Sequence, residues 1–302
     1  KLLRSDTRGQ TDRQATLHSL IDWSWKRLEP WEQSTLAQLS CFRGGFSMEA
    51  AEAMVDISDL TDAPWTMDVI GSLLDKSLIH TKVVNNTTRM FMYLSIREFA
   101  EHRLTEDSTG VTGAEIETAA RTRHAAYFSG LSPIEATGSL RAVDPSVRRA
   151  LYTNFDNLLV AARTAPQPYR TQCAMGALEV LMNRGPMAQV VALTDELLES
   201  DDTPKLLALR LHVVRATSLR MMGRMAEARA TLDAAVACAE AVDASPTSDT
   251  LLDLNEAAAG LPEDHQLKTG FEVDRRLEEA NLLRMEGKNV EAERILKDAL
   301  TL

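Results

Sequence analysis

The chain has 302 residues, 44% of them hydrophobic and 25% charged, with only 14 Gly and 10 Pro, a composition that excludes a disordered polymer and favours a helix-rich globular protein of at least two domains. Its formal net charge of -11 opposes a general affinity for nucleic acid or an anionic membrane surface, both of which require a basic field. Cys41, Cys173 and Cys238 are too widely spaced for a CxxC metal site or a disulfide framework, and a reducing, cytoplasmic setting is the simplest fit.

No stretch approaches the ~18 apolar residues of a membrane span, and the opening KLLRSD is not followed by a secretory apolar run. A first residue other than Met reads as a piece of a longer protein. From Gln14 to Leu28, residues Leu17, Leu20, Ile21, Ser24 and Leu28 recur at spacings of three and four, which predicts a helix with that face buried. Pro30 stops it and opens a second helix, Trp31 to Phe42. Ser47 is a good N-cap for a third helix, Met48 to Val55, and after a polar loop a fourth runs from Met67 to Asp75.

The texture then changes. SLIHTKVVNNTTRMFMYL is rich in β-branched and aromatic residues and predicts a hairpin with arms Leu78 to Val84 and Thr87 to Leu94 turning at Asn85-Asn86. A helix from Ser95 to Thr105 follows. Short helices and then a two-stranded hairpin predict a winged-helix domain over residues 14–107, preceded by an entry arm over 1–13. Trp23 and Trp25, two apart on one helix, point about 200° from each other and cannot form one stacking platform. Core and junction packing is expected for the tryptophans, with Trp25 the one expected to contact a neighbouring domain.

Ala114 to Leu131 and Pro145 to Ala165 read as linker helices over residues 114–165, and APQPY at 165–169 as a hinge. Over 170–302 the sequence repeats itself at helix–turn–helix scale. Around Gly223 stand Ala216, Leu219, Ala228, Leu232 and Ala235; around Gly287, Ala280, Leu283, Ala292, Leu296 and Ala299 stand at the same offsets. Small residues belong there because antiparallel helices approach closely only where side chains are short. A weaker copy centres on Gly185, with Leu178, Leu181 and Leu197, and Val190 where a small residue is expected. Residues 243–272 read equally as a worn repeat or an insertion. The whole is expected to be mainly α: a winged-helix domain with a small β-hairpin, a helical linker and a tetratricopeptide-like α-solenoid.

Little catalytic equipment is visible. The six histidines never form HxxxH, no GxSxG elbow occurs, and the only Gly-Lys pair, Gly287-Lys288, lacks the glycine five residues earlier that a phosphate-binding loop needs. The Glu278-Glu279 pair reads as a solvated helix face. The candidate surface is the groove side of the two good repeats, Thr217, Arg220 and Met221 on one and Asn281, Arg284 and Met285 on the other. Arginine grips carboxylates and methionine adapts to apolar side chains, so a protein or peptide ligand with an acidic group is the expected partner. Direct DNA binding through Arg43, Lys76, Lys82 and Arg89 is disfavoured by the 12 basic against 16 acidic side chains of the first 110 residues.

Arg13, Thr16-Leu17, Ile21 and Trp23-Ser24, followed in order by CFRGGFSMEAAEAM, LLDKSLI and IREFAEHRL, resemble the winged-helix region of the signal-transduction ATPases with numerous domains (the STAND, NB-ARC-like class) in its bacterial regulator form. RHAAYF at 123–128 and NFDNLLVAA at 154–162 resemble the helices that join that region to tetratricopeptide repeats. The resemblance implies an upstream NTPase domain as a partner of the winged helix, with ATP or ADP bound there, and no cofactor, metal or catalytic residue in this chain. It also sets Met92-Tyr93-Leu94 where relatives carry a Met-His-Asp motif, making Tyr93 a weak nucleotide-sensing candidate; Leu94 cannot act as an acid. The expected role is a regulatory, protein-binding portion of such an ATPase. The alternatives are a transcription regulator whose winged helix reads DNA and a passive helical scaffold.

Overall fold

The structure, a computed structural model, describes residues 17–106, 112–132, 144–200, 202–243 and 264–299. The entry arm and residues 244–263, the larger part of the segment read as a worn repeat or an insertion, lie outside the described residues. Among the described residues the chain is mainly helical with one two-stranded antiparallel sheet, the predicted class, and it divides into two compact units, Lys1–Tyr127 and Phe128–Leu302.

In the first unit α1 covers residues 17–25. It is followed by α2 (Pro30–Leu39), α3 (Met48–Met54), α4 (Thr66–Asp75), β1 (His80–Val84), β2 (Thr87–Phe91), α5 (Leu94–Leu104) and α6 (Gly113–Ser129). Pro30 occupies the first turn of α2, where its missing N–H costs nothing, and the Glu32 carboxylate reaches back to the Glu29 N–H at 2.8 Å. The Ser47 hydroxyl accepts the Ala50 N–H and caps α3 as expected. β1 and β2 pair from His80↔Phe91 to Val84↔Thr87. Asn85 and Asn86 both have positive φ, 49° and 66°, the geometry that matches strand twist in a two-residue turn. Phe46 and Met90 exchange two backbone hydrogen bonds, at 3.0 and 2.9 Å, so the loop after Gly44-Gly45 adds a one-residue bridge to the sheet.

The helices bury Leu36, Leu39, Phe46, Met54, Ile70, Leu73, Ile79 and Leu104 in the core. Gln38, at 4% exposure, is the polar centre of that core. It donates to the Asp56 carbonyl at 2.7 Å and accepts the Asp56 N–H at 2.8 Å and the Arg123 guanidinium at 2.9 Å. A buried amide so satisfied ties α2 to the loop after α3 and to α6.

The buried face of α1 differs from the expected one. Leu17 and Leu20 are exposed, whereas Ile21 and Leu28 are buried, and His18 and Trp25 turn their rings edge-on to Phe99 of α5. The aromatic pairing with α5 sets the rotation of the helix, and the leucine spacing alone does not.

The second unit contains α7 (Pro145–Thr153), α8 (Phe155–Thr164), α9 (Tyr169–Arg184), α10 (Met187–Leu198), α11 (Lys205–Met221), α12 (Met225–Asp243), α13 (Asp264–Met285) and α14 (Asn289–Ala299). The single helix expected from Pro145 to Ala165 is two. Asn154, at φ -111° and ψ 17°, ends α7 and opens α8, its amide donating to the Ala150 carbonyl; a short polar side chain competing for the backbone explains the break.

The repeat glycines act as turns. Gly223 and Gly287 have φ of 78° and 79°, and each precedes the same closure, Arg224 N–H to Leu219 carbonyl and Lys288 N–H to Leu283 carbonyl. Gly185 also has a positive φ, 68°, but is followed by Pro186, which has no N–H to donate. That is a physical reason for the third copy's weaker pattern.

Candidate functional site

The four basic side chains considered for DNA are mostly engaged inside the first unit. Arg43 donates to the Ser40 carbonyl at 2.6 Å and to Glu101 at 2.7 Å. Lys76 closes on Glu32. Arg89, 6% exposed, donates to the Gly45 carbonyl, and burial pushes its guanidinium below the ordinary arginine range. Lys82, on the exposed side of β1, lies 5.2 Å from the Phe91 ring centre.

Tyr93 is not a strand residue. β2 ends at Phe91, and Tyr93 is the cap residue of α5, 58% exposed. Its ring stacks on His80 at 4.4 Å, and His80 in turn lies 5.9 Å from Phe91. Both imidazole nitrogens of His80 are buried without a hydrogen-bond partner, so this three-ring column is held by stacking.

Trp25 packs within the first unit, edge-on to Phe99 at 5.7 Å with the Arg103 guanidinium 5.8 Å from its ring. The more exposed indoles are those of Trp23, at 59% and covered on one face by Arg27, and of Trp65, at 84%.

In the second unit the six groove candidates lie on the final turns of α11 and α13, two helices that pack together. Met221 and Met285 are equally exposed, at 56%. Thr217, half-buried, donates to its own helix at the Val213 carbonyl, and Asn281 is half-buried. The two arginines part company. Arg284 is exposed, whereas the Arg220 guanidinium makes a two-point ion pair with Glu278 of α13.

Glu278 is thus the residue that sequence reasoning misplaced: it is 4% exposed, not solvated. Its helical spacing to Leu282, 1% exposed, was the available signal, because positions four apart share one face. Glu279 is half-buried and pairs with Arg275 at 3.2 Å. Further ion pairs tie the helices together: Arg215 of α11 to Asp195 of α10, Arg210 of α11 to Asp274 of α13, and Arg229 of α12 to Glu286 just past α13. Burial raises the Asp274 carboxyl, and the facing Arg210 partly offsets that rise.

Among the described residues no cluster of His, Cys, Asp and Glu side chains could hold a metal, and no helix is long and apolar enough to cross a membrane. The helices of the second unit are joined across their packed faces by ion pairs.

No protein-family model matches the chain, and no solved structure matches it. Three relatives do, two from strains of Mycobacterium tuberculosis and one from Mycobacterium bovis, each described as an HTH-type transcriptional regulator. Each is 32% identical over 161 residues, which is 53% of this chain and 17% of the relative. This chain is therefore related over half its length to helix-turn-helix transcription regulators that are several times longer than the matched stretch. The relationship supports the transcription-regulator alternative more directly than the signalling-ATPase reading.

Proposed function

We propose that this chain is part of a transcription regulator and that its contribution is regulatory docking on proteins, with base reading performed elsewhere in the longer molecule. The relatives' description supports the regulator class. The observation that carries the docking role is the engagement of Arg43, Lys76 and Arg89 within their own unit, since a DNA-binding face must offer its cations to phosphate. In this reading α9 to α14 are tetratricopeptide-like hairpins that sense a protein or peptide, and nucleotide binding of the kind the signalling-ATPase resemblance implies falls outside this chain. A ligand that prefers one arrangement of the whole protein by roughly 5 kcal/mol suffices for a nearly complete switch.

The second reading, direct DNA recognition through the hairpin side of the first unit, is favoured by the name the relatives carry. A titration of the 302-residue chain into labelled duplex DNA, random-sequence and genomic-promoter pools in parallel, separates the two. Docking predicts no retarded band at any salt concentration. A band that forms at low salt and weakens by roughly a thousandfold or more between 50 and 200 mM salt, as several phosphate contacts require, would establish the DNA-reading alternative and overturn the docking role.

A further inference from the structure

The helix that stands just before the β-hairpin, α4, carries a surface that its own unit does not explain. Between Gly44 and Asp75 the sequence has seven acidic side chains, all exposed, and no Lys, Arg or His. Both α3 and α4 lie inside that stretch, and α4 is the second helix of the pair, the one that a helix-turn-helix lays into the major groove of DNA. Here the charge on that helix repels phosphate.

α4 turns Val69, Ile70 and Leu73 to the core. At about 100° per residue, Asp68, Gly71 and Asp75 then share the opposite face, within an arc of roughly 60°. Both carboxylates are exposed, and neither has an ion pair among the described residues; Lys76, next in sequence to Asp75, is taken by Glu32. Gly71, between them, has a helical backbone and nothing within 4 Å of where a Cβ would sit. Neither conformation nor packing inside the unit asks for glycine there, and glycine weakens a helix relative to alanine. What the missing side chain does permit is close approach of another backbone from outside. Flanking this face at the start of α4 stand Trp65, its cap residue and 84% exposed, and Met67, 55% exposed. Tryptophan and methionine are enriched at the centres of protein interfaces, and charges belong to their rims.

We infer that the exposed face of α4 is a docking site for one basic helix of a partner protein. Charge complementarity selects the occupant. Seven residues advance a helix by about 10.5 Å, so Asp68 and Asp75 meet two arginine or lysine side chains that are themselves seven residues apart on the partner. Gly71 lets the two helices approach closely between these pairs, and Trp65 and Met67 receive an apolar side chain one turn beyond. This deepens the docking reading by giving the first unit a site and a class of partner, and it rests on that reading only in taking the first unit as a binder of proteins.

The probe is a fluorescent alanine-rich helix, cross-linked on its far face, with two arginines seven residues apart and a leucine one turn beyond. A control peptide of the same composition has its arginines five residues apart, on different faces. Each is titrated into the full 302-residue chain at physiological ionic strength and followed by anisotropy. Saturable binding of the first peptide is expected, with the control weaker by roughly tenfold or more. Gly71→Leu should weaken binding by a similar factor and leave the unit folded, because the added side chain meets open space; circular dichroism checks the fold. Asp68→Arg combined with Asp75→Arg should abolish binding, and a peptide with glutamates in place of the arginines should restore it, since reversing both sides re-forms the pairs. Absence of saturable binding, or binding indifferent to Gly71→Leu or to the arginine spacing, would sink the assignment. A concentration-dependent dimer that Gly71→Leu dissolves would give the face to a second copy, and a retarded DNA band that Gly71→Leu removes would give it to nucleic acid; either overturns the partner-helix assignment. The titration contains no DNA, so its failure removes this site alone, and a salt-sensitive DNA band removes the docking role on which it rests.

Discussion

The Lys76 ammonium lies 2.6 Å from Oε2 of Glu32, and the carboxylate it closes on is 3% exposed. The same carboxylate accepts the Ser72 hydroxyl at 2.6 Å and the Glu29 N–H at 2.8 Å, so one acidic side chain in the first turn of α2 fixes the start of its own helix and the end of α4. Burial pushes the Glu32 carboxyl up, but the hydrogen bonds from Lys76, Ser72 and Glu29, with the Lys76 charge, more than compensate and hold it below the usual carboxylate range.

Glu32→Ala should therefore cost about 2 kcal/mol at neutral pH, less than the roughly 3 to 5 kcal/mol of a fully buried broken pair, because the half-exposed Lys76 can turn to water. The sign of the pH dependence follows from the lowered carboxyl. The unfolded chain takes up a proton first as pH falls, so the stabilisation is present above the unfolded value, about pH 4.3, and fades as pH drops through the lower folded one. Urea unfolding of the Glu32→Gln variant beside the parent should show a stability gap at pH 7 that narrows by pH 3. A gap independent of pH would contradict the ionised pair.

Three glycines separate conformation from space. Gly223 and Gly287 have nothing within 4 Å of where a Cβ would sit, so only their positive φ demands glycine. Gly223→Ala and Gly287→Ala should each destabilise by about 1 kcal/mol. Gly71, inside α4, has equally open space and is not among the positive-φ glycines. Gly71→Ala should instead stabilise by about 0.5 to 1 kcal/mol. Denaturant midpoints of the three variants check both signs.

The turn glycines were legible in the sequence because a repeat compares a position with itself: Gly223 and Gly287 match, and their closures match too. The Asn85-Asn86 turn and the Ser47 cap were legible because each answers a local backbone requirement. What was not legible depends on partners far along the chain. The buried face of α1 follows Phe99, which periodicity cannot see; the burial of Glu278 is signalled by its spacing to Leu282, but the partner that makes it tolerable, Arg220, is not. The break at Asn154 was missed because its neighbours keep helical spacing on both sides. Of the groove candidates, Met221 and Met285 are equally exposed, while the different states of Arg220 and Arg284 follow from a helix packed on one and not, among the described residues, on the other.

The thiols report on each unit separately. Burial pushes Cys41 in the first unit up to about 11, an effect that nearby Arg121 and Arg43 moderate, and pushes Cys173 in the second up to about 12. At pH 8 both are thiols shielded from reagent, and Cys238, half-buried, should be alkylated first. Iodoacetamide labelling along a urea gradient, read by mass spectrometry, should then show Cys41 reacting as the first unit unfolds and Cys173 as the second does. Rapid labelling of Cys41 in native buffer would contradict the packing of α2 against α5.

The adjacent indoles Trp23 and Trp25 offer the sharpest contrast between exposed and packed side chains. Trp25 meets Phe99 edge-on while Arg103 lies over both rings, and Arg103 itself is paired with Asp22 at 2.7 Å. Removing the indole takes away an aromatic pair and a cation–π contact together, so Trp25→Ala should cost about 3 kcal/mol. Trp23 is 59% exposed and touches chiefly the Arg27 guanidinium at 4.4 Å; Trp23→Ala should stay within about 0.5 kcal/mol. Trp65, at 84% exposure, contributes a second strongly accessible emitter, so acrylamide quenching must be compared across single variants. Loss of Trp23 or Trp65 should lower the quenchable fraction of the fluorescence, and loss of Trp25 should raise it while the protein stays folded. The reverse pattern would mean that α1 presents its leucines to the core after all, because turning Trp23 inward carries Leu20 with it on the same helical face.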